Sequence, residues 1–162
     1  MNPVAEYLNR LPEDEAGTAL ARCCGAPRWV ARMLAARPFS DDAALIETSD
    51  RVWWSLAPED WREALGCHPR IGERTEEAWS RREQAGVAAA TGATREALVA
   101  ANRAYEERFR HVFLICATGR SAADMLSELR HRLANDPGTE LRVAAAEQAK
   151  ITRLRLEKLV TA

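Results

Sequence analysis

Residues 25–65 read GAPRWVARMLAARPFSDDAALIETSDRVWWSLAPEDWREAL, and this stretch decides the fold class. Pro27 and Pro58 stand at the first turn of amphipathic segments, the helical position that tolerates proline. Pro38 ends the segment that begins at Pro27, because a proline interrupts the hydrogen-bond ladder of a helix. The Ser-Asp-Asp sequence of residues 40–42 can cap the segment that follows. The stretch therefore predicts three consecutive helices with short connections.

The same helix signals continue on both sides of this stretch. Helix starts are predicted after Pro12, at Thr75 for a helix that runs toward Gly92, at Thr94, at Ser121 with Asp124 as a capping box, and at Thr139 for a last helix that reaches about Val160. The apolar run HVFLICATG of residues 111–119 fits a buried strand or a buried helix, which periodicity alone does not separate. Because no second convincing strand is present, we predict an all-α fold, a single-domain bundle of about eight helices over residues 1–162.

Composition and charge exclude several function classes. The 162 residues are 47% hydrophobic and 29% charged, and the formal net charge is −1. A nearly neutral chain lacks the field that attracts nucleic acid or an anionic membrane, so neither is an expected partner. The start of the sequence does not resemble a secretory signal, and no apolar run has the length of a membrane span. We expect a cytoplasmic protein.

The four cysteines are expected to be free thiols. They are Cys23, Cys24, Cys67 and Cys116. A chain of this size without an export signal has little need of disulfides. A metal site made of Cys67, His68, His111 and Cys116 is conceivable, but their spacing does not repeat a known zinc pattern. We therefore expect no metal.

The last predicted helix places a charge where burial is expected. At about 100° per residue, Leu141, Ala144, Ile151, Leu154 and Leu159 form one apolar arc. Arg142 and Arg153 fall on the opposite side, whereas Arg155 lies near the middle of the arc. A buried guanidinium requires a partner. In a structural role, Arg155 forms an ion pair with a protein group or extends its apolar stem so that the charge reaches the rim. In a functional role, the partner is the carboxylate of a substrate, which the planar guanidinium binds with two parallel hydrogen bonds.

A carboxylate lies on the covered face of the helix predicted from Thr75. Glu83 shares this face with Trp79 and with small residues such as Gly86, which leave room for another group. An internal salt bridge explains such a carboxylate as well as a ligand does. On the same helix Ser80 and Gln84 are four residues apart and can present a hydroxyl and an amide together.

A His-Pro step precedes this helix. Proline 69 pushes the backbone of His68 out of the helical region, which fixes the direction of the imidazole in a loop. His111 lies in the apolar run and His131 on a predicted helix surface, so both are interpreted as structural. A histidine in a loop is compatible with a simple surface role as well as with proton transfer.

Five motifs in order resemble the family of 2-oxo-4-hydroxy-4-carboxy-5-ureidoimidazoline (OHCU) decarboxylase, which acts last in the route from urate to allantoin. They are CCGAPRWVARMLAARPF, CHPRIGE, SRREQAGV, LVAANRAYEERFRHVFLICATGRS and KITRLRLEKLV. The resemblance covers about residues 10–160. It implies an all-α, cofactor-free carboxy-lyase with a small-molecule substrate, and a homodimer. It also implies a possible functional coupling to hydroxyisourate hydrolase.

The resemblance also implies roles for individual residues. The catalytic positions fall on His68, Glu83 and Arg155. The substrate-binding positions fall on Pro69, Ser80, Gln84, Phe113, Leu114 and Ile115, the last three through their backbone amides. One position departs from the pattern: where many members have an aspartate two residues after the histidine, this chain has Arg70. The role of position 70 is therefore open, and that of His68 is not affected.

Two other functions remain open from the residues alone. One is an enzyme of the same fold that acts on a related ureido acid, since a fold does not settle a substrate. The other is a non-catalytic helical ligand-binding module in which the buried charges are structural. In the second case, replacing both Glu83 and Arg155 by apolar residues is expected to be tolerated.

Overall fold

The described residues of this computed structural model, 3–70, 85–88 and 92–160, form an all-α fold. The helices are α1 (Pro3–Arg10), α2 (Glu13–Cys23), α3 (Pro27–Ala35), α4 (Asp42–Trp54), α5 (Pro58–Leu65), α6 (Ala85–Ala88), α7 (Gly92–Phe109), α8 (Ala122–Arg132) and α9 (Pro137–Lys158). The described ranges contain no β-strand. The predicted fold class is confirmed.

Two predicted helix caps are confirmed by their hydrogen bonds. The side chain of Asp41 accepts from the amide of Ala44 at 2.7 Å at the start of α4. The hydroxyl of Ser121 accepts from the amide of Asp124 at 3.1 Å at the start of α8. Each bond satisfies one of the amides that a helix leaves without an internal partner at its first turn.

Two other predicted caps are wrong. The helix assigned to Thr94 begins earlier, at Gly92, so Thr94 lies inside α7. The last helix begins at Pro137, and its cap is Asp136, whose carboxylate accepts from the amide of Thr139 at 3.0 Å and from its hydroxyl at 2.7 Å. These hydrogen bonds lower the pKa of Asp136 because they stabilise its charged form. A carboxylate is the stronger acceptor, so it displaces the neighbouring threonine from the capping position.

The helix α1 was not predicted, because its ends are fixed by residues distant in sequence. The carboxylate of Asp42 accepts from the amide of Ala5 at 2.8 Å in the first turn of α1. At the other end, Nη1 of Arg37 donates to the carbonyls of Leu8 and Leu11 at 3.0 and 2.8 Å. Capping from 26 to 37 residues away leaves no local signal in the sequence.

The described chain divides into two compact units. The first unit contains the described residues of Met1–Ala64 and Gln148–Ala162, and the second unit contains those of Leu65–Glu147. In the first unit, the buried indole of Trp29 donates to the carbonyl of Ser49 at 3.3 Å. In the second unit, α7 packs against α8 around a buried cluster that consists of Leu98, Tyr105, Phe109, Phe113, Ile115, Ala117, Ala122, Met125, Leu126 and Leu129. The prediction of a single domain stays a prediction.

The apolar run between α7 and α8 is neither a helix nor a strand. The chain leaves α7 at Phe109 and passes through Arg110, which has a positive φ of 65°. Residues 112–117 have no regular secondary structure, although Phe113, Leu114 and Ile115 are buried. We call residues 111–117 the inter-helix segment. Its apolar side chains serve the core of the second unit, so burial here is achieved without the strand or the helix that the composition suggested.

Candidate active site

The burial predicted for Arg155 is confirmed. Arg155 is 8% exposed on α9, and its Nη1 donates to the carbonyl of Arg22 at 3.1 Å. Of the predicted arc, Leu141, Ala144 and Ile151 are buried and Leu154 and Leu159 are partly buried, while Arg142 and Arg153 are exposed. The helical wheel therefore located a buried cation correctly.

The charge of Arg155 acts on a neighbouring thiol. Burial raises the pKa of Cys23 to about 12, because a thiolate loses its hydration there, and the positive charge of Arg155 partly opposes this shift. All four cysteines are free thiols, with Cys23 and Cys24 buried and Cys67 exposed. Cys23 is thus a protonated, apolar neighbour of the guanidinium at neutral pH.

His68 lies in the loop that follows α5, as the His-Pro step predicted. Its amide donates to the carbonyl of Leu65 at 3.3 Å, which closes a turn at the end of the helix. His68 and Pro69 are both partly exposed. A partly exposed imidazole in a defined turn is accessible to a small molecule.

Arg70, the residue that departs from the resemblance, ties this loop to α7. Its Nε donates to both carboxylate oxygens of Glu106, at 3.0 and 2.9 Å. The arginine is mostly exposed and the glutamate is mostly covered. The contact therefore connects the residues next to His68 with α7 of the same unit.

The predicted positions Glu83, Ser80 and Gln84 lie outside the described residues. Just after them, Gly86 in α6 approaches the main chain closely: a β-carbon built on it stands 2.1 Å from the carbonyl oxygen of Arg120. The space left by the small side chain of Gly86 is thus filled by main-chain atoms. Whether His68, Glu83 and Arg155 converge stays a prediction, since Arg155 belongs to the first unit and His68 to the second.

The inter-helix segment is fixed by two charged side chains. The carbonyl of Leu114 accepts from Nη1 of Arg132 at 2.8 Å. The amide of Cys116 donates to Oε1 of Glu147 at 3.0 Å. Within the described part of the chain, neither the amide nor the carbonyl of Ile115 has a hydrogen-bond partner. A buried segment that carries such groups has binding capacity for a polar ligand.

A buried ion pair that the sequence analysis missed supports this segment. Arg132 is 1% exposed, and its Nε and Nη2 donate to Oε2 of Glu140 at 2.8 and 2.6 Å. The hydroxyl of Tyr105 donates to the same oxygen, and the side-chain amide of Asn135 donates to Oε1 of Glu140 at 3.1 Å. Burial alone lowers the pKa of Arg132, but the hydrogen bonds and charge of Glu140 outweigh it and raise the pKa. The guanidinium of Arg132 therefore stays charged.

A signal for Arg132 was present in the sequence. Met125 and Leu129, seven and three residues before it, are buried on α8. These intervals place the three side chains on one helical face, the same reasoning that located Arg155. The pairing with Tyr105 and Glu140 gives no such signal, because the partners lie in other helices.

Metal-binding clusters and membrane-spanning helices are both absent from the described residues. No group of three or more metal-binding side chains occurs among the described residues, which include Cys67, His68, His111 and Cys116. None of the helices in the described ranges is long and apolar enough to cross a membrane.

Comparisons with known proteins agree on one family. The family model described as OHCU decarboxylase matches residues 9–157. Over 146 residues the chain is 36% identical to an Arabidopsis thaliana uric acid degradation bifunctional protein, which covers 85% of this chain but only 45% of that relative. It is 32% identical to the Mus musculus OHCU decarboxylase, covering 92% of this chain and 86% of the mouse protein. A crystal structure of OHCU decarboxylase in the presence of (S)-allantoin has a TM-score of 0.78 at 34% identity, over 88% of this chain and 96% of that one.

Proposed function

This chain belongs to the OHCU decarboxylase family, and we propose that it decarboxylates 2-oxo-4-hydroxy-4-carboxy-5-ureidoimidazoline to (S)-allantoin, the last step of urate degradation. The observation that carries the proposal is the family match, which extends over residues 9–157 and so includes every candidate site residue. The neighbouring solved structure is of a decarboxylase crystallised with (S)-allantoin. The proposed activity is that of a carboxy-lyase.

The chemistry requires no electron sink from the protein. The substrate carries its carboxylate on a carbon that also bears a hydroxyl and that adjoins a ring C=N bond. When carbon dioxide leaves, the imine system of the substrate accepts the electron pair, so the proposed reaction proceeds without a cofactor. The protein must then supply orientation, control of charge and one proton delivered to a single face.

Three side chains are assigned to these tasks. Arg155 grips anionic or ureido oxygens of the substrate, and its burial in an apolar face of α9 supports this role, because a low local dielectric strengthens an ionic bond. His68 exchanges a proton with the substrate hydroxyl, a contribution of roughly 10² to 10⁴ in rate. Glu83 orients the imidazole or accepts from ring nitrogens.

The remaining contacts are assigned to positions that the resemblance implies. Pro69 fixes the backbone beside the imidazole, and Ser80 and Gln84 offer a hydroxyl and an amide to the substrate. Residues 113–115 bind the ring through main-chain groups. The buried amide and carbonyl of Ile115, which have no partner in the described part of the chain, support this last assignment.

The first prediction concerns His68 and Glu83. In an assay that generates the substrate from urate in situ, His68→Ala and Glu83→Ala are each expected to reduce decarboxylation to the spontaneous rate. Both lose a group that moves or directs the proton. The helical circular dichroism of both variants is expected to match the wild type, which separates loss of chemistry from loss of fold.

Two controls make this test decisive. His131→Ala changes an exposed histidine and is expected to retain the wild-type rate. The double variant Glu83→Leu with Arg155→Leu tests for a purely structural module. In such a module the double variant would keep the stability of the wild type, and the wild-type protein would give no product. Wild-type turnover in His68→Ala would remove the assignment of that residue.

Assembly and location are also proposed from the family resemblance. We propose a homodimer in the cytoplasm that works in sequence with a hydroxyisourate hydrolase. Light scattering coupled to gel filtration measures the mass against 18.0 kDa for one chain, so a value near twice that supports the dimer. Co-purification with the hydrolase tests whether the coupling includes a physical complex, and fractionation of cells tests the location.

A further inference from the structure

Two consecutive peptide bonds of the inter-helix segment are oriented by buried charges. The first joins Leu114 to Ile115, and its carbonyl is held by Arg132 at 2.8 Å. Among the described residues, the cis peptide bond is Arg37–Pro38, so the bond between Leu114 and Ile115 is trans. In a planar trans peptide the N–H points away from the C=O. The grip of Arg132 on the carbonyl of Leu114 therefore turns the amide of Ile115 away from Arg132.

The second peptide bond joins Ile115 to Cys116. Its amide donates to Glu147 at 3.0 Å, so the carbonyl of Ile115 points away from Glu147. Ile115 itself is 2% exposed, and neither its amide nor its carbonyl has a hydrogen-bond partner in the described part of the chain. Buried main-chain groups are nearly always paired, because an unpaired one costs free energy comparable to a lost hydrogen bond. A donor and an acceptor on one residue are thus both kept in fixed directions for a partner.

We infer that Arg132 and Glu147 are positioning residues for the proposed reaction: they hold the peptides on either side of Ile115 so that its amide and carbonyl bind the donor and acceptor groups of a ureide ring. The inference rests on the proposed function, because an OHCU-type substrate presents N–H and C=O groups on one ring. It adds two residues that do not touch the substrate themselves.

The buried ion pair explains why Arg132 can hold this orientation. Two of its nitrogens are engaged by Glu140, whose Oε2 is also bonded by Tyr105. The third nitrogen, Nη1, is then directed at the carbonyl of Leu114 by the planarity of the guanidinium. The guanidinium also lies over the ring of Phe113, 4.5 Å from its centroid. A guanidinium whose three nitrogens are all hydrogen-bonded cannot rotate without breaking several of these bonds at once.

Glu147 offers a clean pair of variants. Glu147→Gln keeps an oxygen that accepts from the amide of Cys116, whereas Glu147→Leu removes the acceptor at similar volume. Glu157→Leu is the matched control, since Glu157 is an exposed glutamate on the same helix α9. Arg132→Lys keeps a positive charge for Glu140 but loses the guanidinium nitrogen that donates to the carbonyl of Leu114.

The readout is the amide of Ile115. The dipeptide Leu-Ile occurs at residues 45–46 and 114–115. Labelling leucine carbonyls with ¹³C and isoleucine amides with ¹⁵N therefore gives signals from Ile46 and Ile115, and Ile46 in the interior of α4 serves as the internal reference. Titration with (S)-allantoin follows binding, and the in situ assay follows turnover of each variant under the same conditions.

The inference predicts that (S)-allantoin shifts the Ile115 signal of wild-type protein and leaves Ile46 unchanged. Loss of the positioning bond in Glu147→Leu is expected to weaken allantoin binding about tenfold, the cost of about one hydrogen bond. We expect Glu147→Gln and Glu157→Leu to bind like the wild type, and Arg132→Lys, where it folds, to resemble Glu147→Leu. If Glu147→Gln binds allantoin like the wild type while Glu147→Leu binds it weakly, the missing hydrogen-bond acceptor, and not a general loss of stability, explains the weaker binding.

Two results separate this inference from the proposed function. If wild-type protein accelerates decarboxylation but Ile115 does not respond to allantoin, or Glu147→Leu binds as tightly as Glu147→Gln, the inference is overturned and the function stands. If Ile115 responds and the variants behave as expected but the wild type does not accelerate decarboxylation, the proposed function is overturned, whereas the positioning of Ile115 is supported.

Discussion

Two buried arginines, one in each unit, differ in the groups that hold them. Arg132 in the second unit gives two nitrogens to the carboxylate of Glu140 and the third to the carbonyl of Leu114. In the first unit, Nη1 of Arg155 donates to the carbonyl of Arg22, and the charge of Arg155 acts on the thiol of Cys23. Both have the same chemistry and nearly the same burial. We therefore expect Arg132 to serve mainly the fold, whereas the proposed function gives Arg155 a ligand.

The inter-helix segment and the face of α9 around Arg155 show how this difference arises. In the segment, charged side chains from two helices bind main-chain groups, so that the charges orient the backbone. At Arg155, the carbonyl of Arg22 accepts a hydrogen bond from the guanidinium, and the protonated thiol of Cys23 lies within reach of its charge. We expect changes at the first arginine to affect stability most and changes at the second to affect turnover most.

The largest expected effect is on the stability of Arg132→Met. The substitution leaves the carboxylate of Glu140 buried without its cation, a situation that costs about 3–5 kcal/mol of the free energy of unfolding. Urea denaturation followed by circular dichroism measures this loss. Arg153→Met, at an exposed arginine of α9, is the control and is expected to lose clearly less. Equal losses in both variants would show that the buried pair of Arg132 and Glu140 does not stabilise the fold.

The next effect concerns turnover in Arg155→Lys. An ammonium keeps the charge but not the planar pair of donors, so kcat/KM is expected to fall about tenfold to a hundredfold. The free energy of unfolding should change much less than in Arg132→Met. Arg153→Lys, an exposed arginine two residues earlier on α9, is the control and should keep full activity. Full activity in Arg155→Lys would contradict the substrate-binding role.

A smaller effect is expected where the main chain at Arg120, just after the inter-helix segment, meets α6. In Gly86→Ala, the added methyl would stand 2.1 Å from the carbonyl oxygen of Arg120, and a backbone atom cannot move aside as a flexible side chain can. Overpacking of this kind costs about 1–3 kcal/mol of the free energy of unfolding. Gly92→Ala is the control, since its added methyl meets no atom within 4 Å. A thermal melt in which both variants match the wild type would disprove the close packing.

The last effect is absent at neutral pH, because stability depends on pH here only where the buried thiol of Cys23 ionises. The pKa of Cys23 is raised from 9.0 to about 12, mainly by burial. Its contribution to stability is therefore complete below pH 9, where the unfolded thiol is also protonated, and is lost as the pH rises from 9 to about 12. Cys23→Ala is expected to flatten this part of the stability profile, and at pH 8 a thiol reagent should label exposed Cys67 well before Cys23. Equal labelling of the two thiols would contradict the buried environment.

Local signals predicted most of the fold. The helices α2, α3, α4, α5 and α8 and the caps Asp41 and Ser121 follow from prolines, capping residues and apolar periodicity within a few residues. The helix α1 does not, because Asp42 and Arg37 fix its ends from other parts of the chain. The cap at Asp136 was missed for a different reason, a local competition in which the carboxylate binds both groups of Thr139.

The site was predicted in the same uneven way. The burial of Arg155 and the loop position of His68 follow from a helical wheel and from a proline. The inter-helix segment has no repeating pattern that a window could detect, and its hydrogen bonds reach Arg132 and Glu147 on other helices. Such contacts between distant residues are a property of packing, so the structure was needed to find them.

The most direct measurement is the optical activity of allantoin formed from urate in situ, with increasing amounts of the wild-type chain. We predict that (S)-allantoin accumulates at a rate proportional to the protein concentration and well above the spontaneous, racemic background. Folded protein that leaves both the rate and the racemic product unchanged would contradict the proposed decarboxylation.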